Sequence, residues 1–150
     1  MNIKTKFPPP LVALTFGFLI NYTKSIFPKF EIGRKDVFGS IIIIFGIIII
    51  LSAIILFKKY KTTTTPLNPS NATKLIVHGI YKFSRNPMYL GLLLVLSGIS
   101  IIQNPIGGSL FVPSFILYLN HFQIIPEESA MLDLFKDDFL KYKENVRRWI

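Results

Sequence analysis

The sequence has no cysteine among its 150 residues. That single absence excludes disulfides, thiolate-ligated zinc, thiol nucleophiles and a palmitoyl anchor. Histidine occurs only as His78 and His121, which leaves little for a metal site. The nine glycines form neither a G-x-G-x-x-G run nor a P-loop, which argues against a soluble nucleotide-binding α/β fold. Acids are also scarce: eight Asp and Glu stand against seventeen Lys and Arg, a formal charge of +9. In a soluble chain that excess would suggest nucleic acid. Here the bases cluster between apolar runs, so lipid head groups and topology account for them and no nucleic-acid partner is expected.

What is abundant is apolar surface. A hydrophobic content of 51% and a mean hydropathy of +0.49 are too high for an ordinary soluble domain. The 21 uncharged residues from Val37 to Phe57 span roughly 30 Å as a helix, the thickness of a bilayer core. Gly39, Gly46 and Ala53 recur at intervals of seven, a line of small residues that lets another helix approach closely.

Three weaker segments complete an all-α, polytopic membrane fold of about four transmembrane helices. The first runs from Phe7 to Tyr22; Lys4 and Lys6 ahead of its apolar core also allow a signal peptide, which the Pro8-Pro9-Pro10 run disfavours. Met88–Ile102 and Ile106–Ile125 form a helical hairpin about the turn signal Gln103-Asn104-Pro105. Gly91 and Gly98 again repeat at seven. With four crossings, the N-terminus, the 58–86 loop and the C-terminus share one face and hold thirteen of the seventeen basic residues. That face is expected to be cytoplasmic, with a prokaryotic inner membrane favoured over an internal eukaryotic one.

The tail from Glu127 to Ile150 carries six of the eight acids. Its apolar residues Leu132, Phe135, Phe139, Tyr142, Val146 and Trp149 share a helical face, which predicts an amphipathic helix lying at the cytoplasmic interface. Thr62 to Thr65 with Pro66 reads as a low-complexity linker, and the sequons at Asn21 and Asn71 are read as non-functional.

Polar chemistry concentrates in two places. In the stretch from Gly79 to Gly91, Asn86 and Pro87 are placed as N-cap and first residue of a helix, whose N-terminus can hold a carboxylate or phosphate. Arg85 can add donors, and Tyr81 and Tyr89 can stack on a purine or face a cation. The second cluster is Asn120, His121, Gln123, Glu127 and Glu128. If the helix continues through Pro126, then Asn120, Gln123 and Glu127 share one face. If Pro126 starts a new helix, Glu127 and Glu128 complement its dipole. Glu128 is assigned that dipole role and Glu127 a functional one.

Taken in order, these elements resemble the integral membrane methyltransferases that include isoprenylcysteine carboxyl methyltransferase and the phospholipid methyltransferases. That superfamily shows an Arg-His-Pro-x-Tyr-x-Gly helix start, a hydrophobic stretch, a Glu-Glu pair and a Phe-Gly-x-x-Tyr-x-x-Tyr-like tail. Here they read Arg85-Asn86-Pro87-Met88-Tyr89-Leu90-Gly91, Glu127-Glu128, and Phe135-Lys136 leading to Tyr142. The resemblance implies an enzyme that binds S-adenosyl-L-methionine on its cytoplasmic side and takes a lipophilic or lipid-modified substrate from the bilayer. Carried over by position, the cofactor contacts are Thr73, Lys74, Leu75, Ile76, Tyr81, Asn86, Pro87, Met88, Tyr89 and Glu127. The family's usual His is Asn86 here, and the Arg that binds substrate in the isoprenylcysteine enzymes aligns with Gln123. A lipophilic acceptor other than isoprenylcysteine is therefore expected. No catalytic base is named and no metal is expected.

Two other readings compete. Membrane sterol or enone reductases that use NADPH show a similar helix start and acidic tail, and Tyr81 or Tyr89 could donate the proton such chemistry needs. A non-enzymatic membrane subunit would use the small-residue lines for a partner and the polar clusters only to cap helices.

Overall fold

The computed structural model describes residues 7–30, 33–60 and 73–150. Lys4, Lys6, the Thr62–Thr65 linker and Asn71 lie outside them. Among the described residues the chain is all helix, with α1 Pro9–Tyr22, α2 Lys35–Lys59, α3 Pro87–Gln103, α4 Pro105–Leu119 and α5 Ile125–Asn145. Short 3₁₀ turns occupy Thr23–Ser25 and Gly79–Lys82, and a π turn, Asn120–Ile124, joins α4 to α5. Proline stands in the first two positions of α1, α3, α4 and α5. Its missing N–H costs nothing there and its φ is already helical.

The lines of small residues meet each other. A Cβ on Gly46 would lie 2.7 Å from the Gly91 carbonyl oxygen, and one on Gly98 would lie 2.6 Å from that of Gly39. α2 and α3 therefore run antiparallel with their backbones in contact, as small residues permit. Ala53, the third member of the line, is fully buried against Ile76 and Tyr81.

The rest of the α2 surface is apolar and uncovered: Ile41, Ile44, Phe45, Ile48 and Ile55 are all exposed. Such a face suits lipid, where helices satisfy their own backbone groups. Among the described residues two helices are long and apolar enough to cross a membrane, α2 and the 41-residue run Pro105–Asn145. α1 and α3, with 14 and 17 residues, are shorter.

Asn104 alone separates α3 from α4. Its side-chain oxygen accepts from the Gly107 N–H at 2.9 Å, capping α4, and its amide donates to the Ile20 carbonyl at 3.2 Å. One buried side chain thus turns the hairpin and fastens it to α1. Val12, Ile20, Leu96, Phe115 and Leu119 fill the space between α1, α3 and α4.

Two expectations are corrected at the C-terminal end. The sequence predicts a transmembrane helix ending at residue 125 and a separate interfacial helix over 127–150. Instead α4 continues into α5 through the π turn, because Pro126 cannot donate to the Phe122 carbonyl and the winding loosens ahead of it. α5 breaks at Lys136, where φ is 42° and ψ −117°, and stops at Asn145. Val146 is extended, and the last residues turn back toward the start of α3. Trp149 accordingly packs against the main core rather than on an amphipathic helix.

Candidate active site

The start of α3, the start of α5 and the C-terminal tail converge on one place. Tyr89, one turn into α3 and 7% exposed, donates from its hydroxyl to the Glu127 carboxylate. Glu127 and Glu128 both occupy the first turn of α5. The apolar run of the long helix ends at Ile125, ahead of both acids.

Their environments differ. Burial pushes Glu127 up to about 7, Tyr89's hydrogen bond opposes that rise, and the Glu128 charge adds to it. Glu128 accepts from Arg85 Nη2 at 2.8 Å and from Arg148 Nε and Nη2 at 3.0 and 2.8 Å. Burial alone would raise its carboxyl, but the Arg148 hydrogen bond and the charges of Arg85, Arg148 and Lys143 hold it below the usual carboxylate range. Two adjacent carboxylates are thereby set apart, one locked as an anion and one poised near neutrality. Glu128 does more than complement the dipole: it fixes the tail to the start of α3.

Asn86 stands at the N-cap position of α3, but its side chain does not cap the helix. Its Nδ2 donates to the Arg148 carbonyl at 2.9 Å, while its own N–H donates to Ser84 Oγ at 3.1 Å. Arg85 N–H donates to the Arg147 carbonyl at 3.1 Å. The Asn86 backbone carbonyl accepts from the Leu90 N–H at 2.9 Å, but its side chain is turned to the tail and accepts no hydrogen bond from the first turn of α3.

Tyr81 is buried, and its carbonyl accepts from the Tyr142 hydroxyl at 2.6 Å. Burial pushes its phenol well above the usual range, and nearby Tyr142 and Glu127 add to that. Phe57 of α2 meets its ring edge-on at 5.5 Å, and Ile76 and Met88 pack in the same cluster. The fold therefore brings together Ile76, Tyr81, Met88, Tyr89 and Glu127, with Pro87 and Asn86 at their edge. Thr73 and Lys74 are exposed, and Leu75 is half-buried on the approach to Ile76.

The expected shared face of Asn120, Gln123 and Glu127 is not formed, because the π turn adds a residue between them. Asn120 Oδ1 accepts from Trp149 Nε1 at 3.2 Å. Gln123, fully buried, donates from Nε2 to the Phe7 carbonyl at 2.7 Å. Glu127 alone meets Tyr89. Tyr142, read from the sequence only as part of the tail motif, and Arg147, Arg148 and Ser84, which no local pattern marks, complete the assembly; their partners lie some 60 residues away along the chain.

Among the described residues, two buried side-chain polar atoms remain without a partner, Arg85 Nε and Gln123 Oε1. Arg85 Nε, with the uncapped first turn of α3, offers donors for an anion. Glu127 offers an acceptor for a cation or hydroxyl. Such a donor and acceptor set fits a zwitterion such as an amino-acid head, and the buried tyrosines fit an aromatic or sulfonium group beside it.

Comparison with known proteins shows the family. The phospholipid methyltransferase family model matches residues 35–138. An uncharacterized protein of Haemophilus influenzae is 41% identical over 63 residues, 42% of this chain and 100% of that protein. Protein-S-isoprenylcysteine O-methyltransferase A of Arabidopsis thaliana is 32% identical over 111 residues, 73% of this chain. The chain spans 55% of the Arabidopsis protein. No solved structure matches.

Proposed function

The chain belongs to the phospholipid methyltransferase family, and on that premise we propose that it transfers a methyl group from S-adenosylmethionine to a lipophilic acceptor at the membrane surface. The observation that carries the reading is the Tyr89–Glu127 pair, set where the start of α3 meets the start of α5 at the end of an apolar helix bundle.

When bound, S-adenosylmethionine supplies an electrophilic methyl group on a positively charged sulfur. Glu127 would hold its ammonium or ribose hydroxyls, Arg85 and the first turn of α3 its carboxylate, and Tyr81 with Ile76 and Met88 its apolar parts. Thr73, Lys74 and Leu75 would line the approach, and Pro87 and Asn86 would hold the helix start in place. The protein's work is alignment and exclusion of water. A carboxylate acceptor needs no proton removal, whereas a lipid amine arrives neutral or releases its proton to water or a neighbouring carboxylate.

Gln123 supplies no positive clamp, and its amide is committed to Phe7. A free prenylcysteine carboxylate is therefore the less favoured acceptor. We place the site on the cytoplasmic face of a four-crossing protein, because thirteen of the seventeen basic residues fall on that side in such a topology. A prokaryotic inner membrane is the favoured setting.

The test is equilibrium binding of S-adenosylmethionine, with NADPH in parallel, to detergent-purified protein and its Glu127→Ala and Tyr89→Ala variants. Saturable S-adenosylmethionine binding that both substitutions weaken is the expected result. Failure of a folded protein to bind it overturns the reading, and binding of NADPH instead would select a reductase.

A further inference from the structure

The far end of the bundle holds a second cluster that methyl transfer does not use. Because α2 and α3 are antiparallel, the start of α2 and the α3–α4 turn lie together, a full helix length from Tyr89. There Lys24, Lys29 and Lys35 line one small cavity with Gln103, Asn104 and Pro105. The three lysines come from the turn after α1, the connection to α2 and the first residue of α2. Among the described residues no carboxylate lines the cavity; Glu31 lies outside them. Asp36, in the first turn of α2, is exposed and outside the cavity, and among the described residues none of the three lysines makes an ion pair.

Three like charges around one cavity repel one another and together favour an anion placed among them. The fold nevertheless fixes the walls: Asn104, 4% exposed, donates to the Ile20 carbonyl at 3.2 Å and to Thr23 Oγ1 at 3.4 Å. That pins the end of α1 beside the hairpin turn. The starts of α2 and α4 add the positive ends of two helix dipoles. Tyr22, Ile26 and Phe30 are exposed on the same segment, an aromatic and aliphatic rim of the kind that sits at head-group depth.

We infer that this cavity binds the phosphate of an anionic lipid head group on the membrane face opposite the candidate active site. The ligand chemistry is a phosphodiester anion. The apolar rim selects a lipid over phosphate from solution, since acyl chains would cover it while the lysines take the charge. This inference rests on the chain being a membrane protein and not on the methyl-transfer reading.

The experiment is native mass spectrometry of the full chain in neutral detergent, titrated with short-chain phosphatidylglycerol, and with phosphatidylcholine and inorganic phosphate in parallel. A Lys24→Gln/Lys29→Gln/Lys35→Gln variant removes the cluster. A Lys58→Gln/Lys59→Gln/Lys143→Gln variant removes the same charge elsewhere, and Lys29→Gln alone serves if the triple variant does not fold. Saturable phosphatidylglycerol binding should weaken by roughly fivefold per lysine lost from the cavity and stay unchanged in the control. Equal weakening in the control, or no saturable binding, overturns the site. Competition by inorganic phosphate at equal concentration, or equal affinity for phosphatidylcholine, overturns the assignment to an anionic lipid.

Discussion

Gly46 and Gly91 touch through their backbones: a Cβ on either would lie within 2.7 Å of the other's carbonyl oxygen. A Cβ at Gly91 would also stand 2.5 Å from Ile50 Cγ1. Neither neighbour can yield without separating α2 from α3. Gly91→Ala should therefore destabilise the protein by about 1–3 kcal/mol, the usual cost of overpacking. Thermal unfolding in detergent should show a lowered Tm, while Gly33→Ala, with nothing within 4 Å of its Cβ, should leave Tm unchanged.

The acid pair predicts a pH dependence of definite sign. Glu127 ionises near 7 in the folded protein against a reference of 4.5. Between those values the folded state binds more protons than the unfolded one, so this residue makes stability fall as pH rises. Comparing the wild type with Glu127→Gln from pH 4.5 to 7.5 should show the wild type losing Tm relative to the variant across that window. A constant difference would remove the poised carboxyl. Because Tyr89's hydrogen bond lowers this pKa, Tyr89→Phe should move the midpoint upward.

Glu128 joins two arginines that are not equivalent. The Arg85 side chain is 10% exposed and that of Arg148 is 35%. Glu128→Gln strips the buried guanidinium of its counter-charge and should cost about 3–5 kcal/mol. Arg148→Gln leaves the Arg85–Glu128 pair intact and should cost about 1 kcal/mol or less through its exposed ion pair. Similar losses in denaturant or heat would show that the tail, not Arg85, carries the assembly.

Lys136 occupies backbone space suited to glycine, at φ 42° and ψ −117°. Such a conformation costs a side-chain-bearing residue about 1–3 kcal/mol, partly offset by the greater freedom glycine loses on folding. Lys136→Gly should raise Tm by a few degrees without altering ligand affinity. A lowered Tm would show that the Lys136 side chain is itself needed.

These residues also show where sequence reading reaches its limit. The seven-residue spacing of Gly39, Gly46 and Ala53, and of Gly91 and Gly98, was enough to foresee two close-packing faces; that each is the other's partner follows only from antiparallel pairing in space. The Gln103-Asn104-Pro105 turn was legible because Asn and Pro act locally. Asn86 stands at the N-cap position that its type and its place before Pro87 predict; that its amide donates to the Arg148 carbonyl, 62 residues on, no local pattern shows. Glu127 and Tyr89 were separately legible, and their hydrogen bond was not. Across Pro126 the sequence allows two readings, and the chain combines them: it stays helical and places the proline at the start of α5.

The widened turn at Asn120–Ile124 has an angular consequence. Each residue of an α-helix advances the chain by roughly 100°, so one surplus residue rotates everything beyond it by that much. Deleting a single residue there would leave α4 facing the same lipids while swinging Glu127 and Glu128 away from Tyr89 and Arg85. The turn therefore works as a phase adjuster between two stretches of one helix. The orientation of the first is set by hydrocarbon and that of the second by a tyrosine and a guanidinium, and a one-residue change in length retunes one without disturbing the other.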